Sequence, residues 1–411
     1  MGLAIMPIVM MVLVMGIDWA AEGKARKARG DAAGALEAFG EAARENPRAA
    51  WLHDEMGFLL AVLRRPEEAI GQFEEAVRLD PRLGVGHYHL GVARWLKQER
   101  EAAIASLGRA VEVEPGNGEY RYRMAGMLYE TGQLERAAKE AEMGTRLEPR
   151  RAEAWNQLGM IEQARNRNMG ARKAYERAVA LRPLENDYRN NLGLMLVETG
   201  DAARGIAEFE QILKRAPGDR SARINIAFAL LQKGDYDAAL ERLRGLAKEF
   251  PDVGVVRYNL GLALKQKDEL AEAKKEFREA LRLQPDMAEA YYTLGITAWQ
   301  EGEFEETIAA MRSAVEQRAE YGPAHYMLGT ALKQKGDLEG AVKALEEAIR
   351  LDPTTPGPFN TLAQVRQQQG DAGAARELFA KAAEVKKKLE ADQVRRLSTM
   401  GAGGAAMPSR R

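Results

Sequence analysis

The chain has 411 residues, 46% of them hydrophobic and 29% charged, with 60 Lys and Arg against 61 Asp and Glu. That length exceeds one small core, the composition is that of a folded chain, and so even a charge gives no overall field for nucleic acid or an anionic membrane. The absence of cysteine excludes disulfides, Cys-ligated zinc, a thiol nucleophile and a lipid-carrying cysteine anchor.

The first element is apolar: MGLAIMPIVMMVLVMGI (1–17) carries no charged side chain. A membrane-spanning helix needs about 20 such residues, so the stretch is short for a span and well sized for the core of a secretory signal. Val14-Met15-Gly16 reads as a small-residue cleavage site, which leads us to expect residues 1–15 to be a leader and the mature chain to be periplasmic or extracellular. The basic cluster Lys24, Arg26, Lys27 and Arg29 follows the segment and supports an alternative, an uncleaved anchor with the remainder cytoplasmic and membrane attachment through residues 1–17. A third reading is an apolar helix covering the open end of the first repeat.

From Gly16 onward one pattern returns every 34 residues, at 16, 50, 84, 118, 152, 186, 220, 254, 288, 322 and 356. The eighth position is Gly or Ala throughout, from Gly23 and Gly57 to Gly329 and Ala363. Position 20 is Ala except at Gly205 and Thr307, and position 32 is Pro except at Ala319 and Lys387. Small residues at positions 8, 20 and 27 let two helices approach, while bulky ones at 4, 7, 11 and 24 fill the space between them. Phe39, Phe73, Tyr175, Phe209, Phe277 and Phe379 hold position 24. Gly-Asp pairs such as Gly30-Asp31 turn the chain between helices, and the proline ends the second helix.

Ala154-Trp155-Asn156-Gln157-Leu158-Gly159, followed by Ala171, Tyr175, Ala178 and Pro183, resembles the signature of the tetratricopeptide repeat family. The resemblance covers residues 16–389 and implies an all-α solenoid: eleven helix-turn-helix repeats stacked in a right-handed superhelix. Ile212 and Leu246 depart from the pattern at the small position 27, which points to wider local packing there. At the far end the proline is missing, and residues 377–397 keep helical periodicity. We read 390–400 as an extension of a capping helix and 401–411 as a flexible tail.

No catalytic constellation emerges. His53, His87 and His325 all hold position 4, where the family places aromatics, so they read as packing residues. His87 and His89 are two apart on a helix and diverge by about 200°. There is no HExxH, P-loop, Gly-x-Ser-x-Gly, EF-hand or dinucleotide motif. The chain is therefore expected to be no enzyme, with no cofactor, no metal and no small-molecule substrate.

Function is sought instead on the stripe formed by positions 2, 5, 6, 9, 12 and 13 of each first helix, which the family's architecture places along a concave groove. Position 6 gives Asn191, Asn225 and Asn259, and position 5 gives Tyr258, Tyr292 and Tyr326. Position 13 gives Gln232, Gln266, Gln300, Gln334 and Gln368, and Trp299 sits at position 12. Across repeats 5–11, positions 5, 6, 9, 12 and 13 make 35 places, of which only Glu198, Lys265 and Lys333 are charged. Amides donate and accept, so such a row can pair with the backbone of an extended peptide whatever its sequence. The asparagines resemble the ladder of the O-GlcNAc transferase superhelix, which implies peptide-backbone binding by Asn191, Asn225 and Asn259. The carboxylate clamp known in the same family needs Lys at position 5 with Asn at 9, and no repeat has that pair. The expected function is a scaffold holding a partner's extended segment. The alternatives are a membrane-tethered assembly subunit using convex or end surfaces, and a targeting subunit of a separately encoded enzyme.

Overall fold

The computed structural model describes residues 17–402, with side chains to Val394. The leader expected at 1–15 and most of the tail expected from 401 lie outside the described residues. Among these residues the chain forms 22 α-helices and no strand. They fall into two compact units, 1–199 and 200–411.

In the first unit the helices are α1 (Trp19–Ala28), α2 (Ala32–Glu45), α3 (Ala50–Val62), α4 (Pro66–Leu79), α5 (Gly84–Leu96), α6 (Arg100–Val113), α7 (Gly118–Glu130), α8 (Leu134–Leu147), α9 (Ala152–Ala164), α10 (Asn168–Leu181) and α11 (Asn186–Glu198). The second holds α12 (Ala202–Arg215), α13 (Arg220–Lys233), α14 (Tyr236–Glu249), α15 (Gly254–Gln266), α16 (Leu270–Leu283), α17 (Ala288–Gln300), α18 (Phe304–Gln317), α19 (Gly322–Lys335), α20 (Leu338–Leu351), α21 (Pro356–Gln368) and α22 (Ala372–Ala402). Within each unit an odd-numbered helix packs on the even-numbered helix that follows it, and the odd-numbered helices of successive hairpins also touch, as α3 does α5 and α13 does α15.

The turn inside each hairpin has one recurring geometry. Its fifteenth position takes a positive φ every time, in Gly30, Gly132, Gly200, Gly234, Gly302, Gly336 and Gly370, but also in Arg64, Gln98, Asn166 and Asp268. Glycine enters this region without steric cost, whereas the four substituted residues hold it because the packed helices on both sides leave no other path. At three of the turns the Asp that follows caps the next helix: the Asp31 carboxylate accepts from the Gly34 N–H at 2.9 Å, that of Asp337 from Gly340 at 2.8 Å and that of Asp371 from Ala374 at 2.9 Å.

Position 8 meets position 24 of its own hairpin. A Cβ added at Gly23, Gly57, Gly159 or Gly261 would stand 2.5–2.6 Å from the ring of Phe39, Phe73, Tyr175 or Phe277. Those four rings are fully buried. Phe379 is the exception at 38% exposure, because no further hairpin covers α22 among the described residues. Ile212 and Leu246, at the position expected to be small, are both buried.

Position 4 does more than pack. His87 Nε2 donates to the Pro81 carbonyl at 3.0 Å, Trp155 Nε1 to Pro149 at 3.1 Å, and His325 Nε2 to Ala319 at 2.9 Å. Arg121 and Arg189 use Nε on Pro115 and Pro183 in the same way. Each bond satisfies the position-32 carbonyl six residues earlier, in the loop between hairpins. This explains why α18 ends at Gln317 although Ala319 replaces the usual proline. At Lys387 the proline is missing, and α22 runs on to Ala402.

Candidate functional site

The odd-numbered helices carry the candidate stripe, and the structure distributes its residues unequally. All five glutamines, Gln232, Gln266, Gln300, Gln334 and Gln368, are exposed at or next to the last turn of α13, α15, α17, α19 and α21. Tyr258, Tyr292, Tyr326 and Trp299 are half-buried. Burial pushes the Tyr258 and Tyr292 hydroxyls above the ordinary tyrosine range. Tyr258 lies 5.8 Å from the Phe277 ring, Tyr292 5.2 Å from Tyr321, and Trp299 5.0 Å from Phe304.

The asparagines stand deeper than the glutamines. Asn191 and Asn225 are half-buried, and Asn259 is only 4% exposed. Asn191 donates through Nδ2 to Asn156 Oδ1 at 3.0 Å. This bond is one of a set. Position 5 of one hairpin meets position 6 of the next, 35 residues on, at His89–Asp54 (2.8 Å) and at Tyr258–Thr293 (3.4 Å) as well. Position 6 is therefore part of the seam between hairpins, a role that periodicity within single helices does not reveal. Asn191 belongs to the first unit, while Asn225, Asn259 and the other residues of the candidate site belong to the second.

The stripe's two lysines differ. Lys333 donates to Gln364 at 2.5 Å. Lys265 has no carboxylate partner among the described residues, and burial holds its pKa below the ordinary lysine value.

The first unit carries a feature that sequence reading passed over. Between α3, α4 and α5 lies a cavity of about 600 Å³, walled by Phe58, Phe73, Tyr88, Val92 and Leu96 over an alanine floor. His89 stands in this wall with its ring 5.4 Å from Phe73 and 5.8 Å from Phe58, and its Nδ1 on the buried Asp54. The signal was present in the same stripe: position 13, a glutamine in five later repeats, is Val62 and Leu96 here.

Among the described residues no group of three or more His, Asp or Glu is placed to hold a metal ion, and no helix is long and apolar enough to cross a membrane. Models of the tetratricopeptide repeat match residues 96–161, 156–220, 196–258 and 258–323, and a TPR-repeat model matches 329–370. The chain belongs to the tetratricopeptide repeat family.

Members of the tetratricopeptide repeat family serve in general as protein-interaction folds rather than catalysts. No curated protein sequence matches this chain. Among solved structures, residues 41 to the end of MamA from Desulfovibrio magneticus RS-1 are 24% identical over 42% of this chain and 97% of that one, with a TM-score of 0.39. Naa15/Naa10 bound to HypK-THB matches at 16% identity over 90% of this chain and 63% of that one, with a TM-score of 0.43. YrrB, titled a TPR protein with an unusual peptide-binding site, is 21% identical over 46% of this chain and 96% of that one, with a TM-score of 0.37.

Proposed function

We propose that this chain is a non-catalytic scaffold that holds an extended segment of a partner protein along the odd-numbered helices of its second unit. The observation that carries the reading is the row of five exposed glutamines at 34-residue spacing, on a face almost without charge. A solvated helical face is ordinarily rich in Lys and Glu. This one offers amides that both donate and accept, with half-buried Tyr258, Tyr292, Tyr326 and Trp299 supplying apolar contact. Asn225 and Asn259 lie on the same helices and back the row. Asn191 is the corresponding residue of the first unit.

Capture from native lysate, with partners identified by mass spectrometry, tests this reading. A variant with all five glutamines changed to Ala should lose the captured segment while its helicity stays intact. Undiminished capture would sink the proposal. The Asn191/Asn225/Asn259→Ala variant belongs beside it, with a melting curve, because these side chains sit in or near the seam and their loss acts on stability as well. A catalytic protein among the captured partners would indicate a targeting subunit instead.

In the same reading residues 1–15 are an export leader, and the mature chain begins on the first hairpin. Mass spectrometry of the N-terminus of the natively expressed protein checks this, and an intact Met1 refutes cleavage.

A further inference from the structure

The cavity in the first unit has a chemistry unlike that of the amide row. Its walls are carbon: Phe58 is 38% exposed and Leu96 74%, both beside the opening, while Phe73 and Ala69 close the bottom. The polar groups of the wall itself are engaged: His89 spends Nδ1 on Asp54 and turns its ring among three others, and the Tyr88 hydroxyl donates to Glu119 at 3.4 Å. Trp51 and Val62, also on α3, are exposed as well. Isolated exposed hydrophobics need no explanation, but Phe58 and Leu96 lining one cavity do.

The charges at the rim select what fills it. Arg64 and Lys97 line the opening, and Lys27 lies over the Phe58 ring at 4.4 Å. Lys97 is paired with Glu67, and Lys27 with Glu55 at 2.5 Å. Arg64 has no carboxylate partner among the described residues. On the neighbouring α1, Lys24 stands 4.7 Å from the Trp51 ring, again with no carboxylate partner. Asp54, the carboxylate that faces the cavity through His89, is itself buried and engaged. Arg64 is thus an unneutralised cation at the opening of an apolar hole, and Lys24 is a second one, over Trp51 nearer the start of α3.

We propose that this cavity seats bulky apolar side chains, of leucine or phenylalanine size, from an acidic segment of a partner protein. The apolar side chains supply the burial, and flanking carboxylates meet Arg64 at the opening and, farther along the segment, Lys24 over Trp51. The site lies in the first unit and shares no residue with the glutamine row, so it stands or falls apart from it.

Fluorescence anisotropy of the full chain with three labelled twelve-residue peptides tests the proposal. One peptide has a central Leu-Phe pair flanked by Asp and Glu, the second has Lys in place of the acids, and the third has Ser-Ser in place of Leu-Phe. The acidic Leu-Phe peptide should bind saturably, and each of the other two about tenfold more weakly. Ala61→Trp, which fills the cavity from an exposed position, should weaken the first peptide about tenfold, and Arg64→Glu about fivefold. Leu96→Ser at the exposed lip should weaken it as well, and serves if Ala61→Trp shifts the melting curve. No saturable binding of the first peptide overturns the proposal. So does equal binding of the lysine peptide, or binding undiminished in both cavity variants. The five-glutamine variant should bind the acidic peptide as the wild type does.

Discussion

At the scale of single residues, the left-handed turn position separates strain from preference. Seven of its occupants are glycine, while Gln98 (φ 65°) and Asp268 (φ 63°) hold the same conformation with a Cβ present. Such backbone costs an L-residue roughly 1–2 kcal/mol, partly offset by the greater unfolded-state freedom of glycine. Gln98→Gly and Asp268→Gly should each stabilise the chain by about 0.5–1 kcal/mol, measured as a shift in the urea midpoint. Gly302→Ala should shift it the other way by a similar amount. The hydrogen bond between Asn191 and Asn156 makes a second point at this scale. Each alanine substitution should cost about 1 kcal/mol, and the double mutant should cost less than the two together. Additive costs would mean the pair contributes nothing as a pair.

At the scale of the hairpin, position 8 of one helix packs against position 24 of the next. Where position 8 is glycine against a buried ring, as at Gly261 and Phe277, there is no room for a methyl group. Where it is alanine, position 24 is Ala141, Leu243 or the half-uncovered Phe379. Gly261→Ala should therefore cost about 1–3 kcal/mol, and Phe277→Leu in the same chain should restore most of it. Between hairpins, Lys274 on α16 is 7% exposed and reaches Glu301 at 2.6 Å and Glu303 beside α18. Burial works against its charge, but the two carboxylates prevail and raise its pKa above the ordinary lysine value. A raised lysine pKa means this contribution is whole below the unfolded value of about 10.4 and fades as pH climbs through the folded one. Lys274→Met should cost about 1–2 kcal/mol at neutral pH, less than a fully buried pair because the glutamates are partly exposed. That difference should hold steady to about pH 10 and shrink above it. A difference independent of alkaline pH would remove the lysine's charge from the explanation.

At the scale of the whole molecule, each hairpin is stabilised by its neighbours, so unfolding need not be a single step. Four of the five tryptophans, Trp19, Trp51, Trp95 and Trp155, lie in the first unit, and only Trp299 in the second. Tryptophan fluorescence should consequently report a urea midpoint different from that of far-UV circular dichroism, which weighs all the helices. Coincident curves would show that the units unfold together. How much of this was legible beforehand depends on the range of the physics involved. Gly57 against Phe73, the turn at Gly234 and the exposed position of Gln300 follow from periods inside one hairpin, and the 34-residue pattern places them. The seam bond of Asn191, the burial of Asn259 and the cavity beside His89 depend on how one hairpin settles on the next. That contact is set by side chains 35 residues apart, and a helical period says nothing of it.

The five-to-six seam has a consequence for the history of the chain. A side chain at position 6 lies on the stripe but answers to position 5 of the hairpin before it, as Asn191 answers to Asn156. Changes at position 6 will be epistatic with the preceding repeat, tolerated or not according to a residue outside their own 34. The unit that evolution or an engineer can exchange freely is then not one repeat but the pair of positions that straddles two.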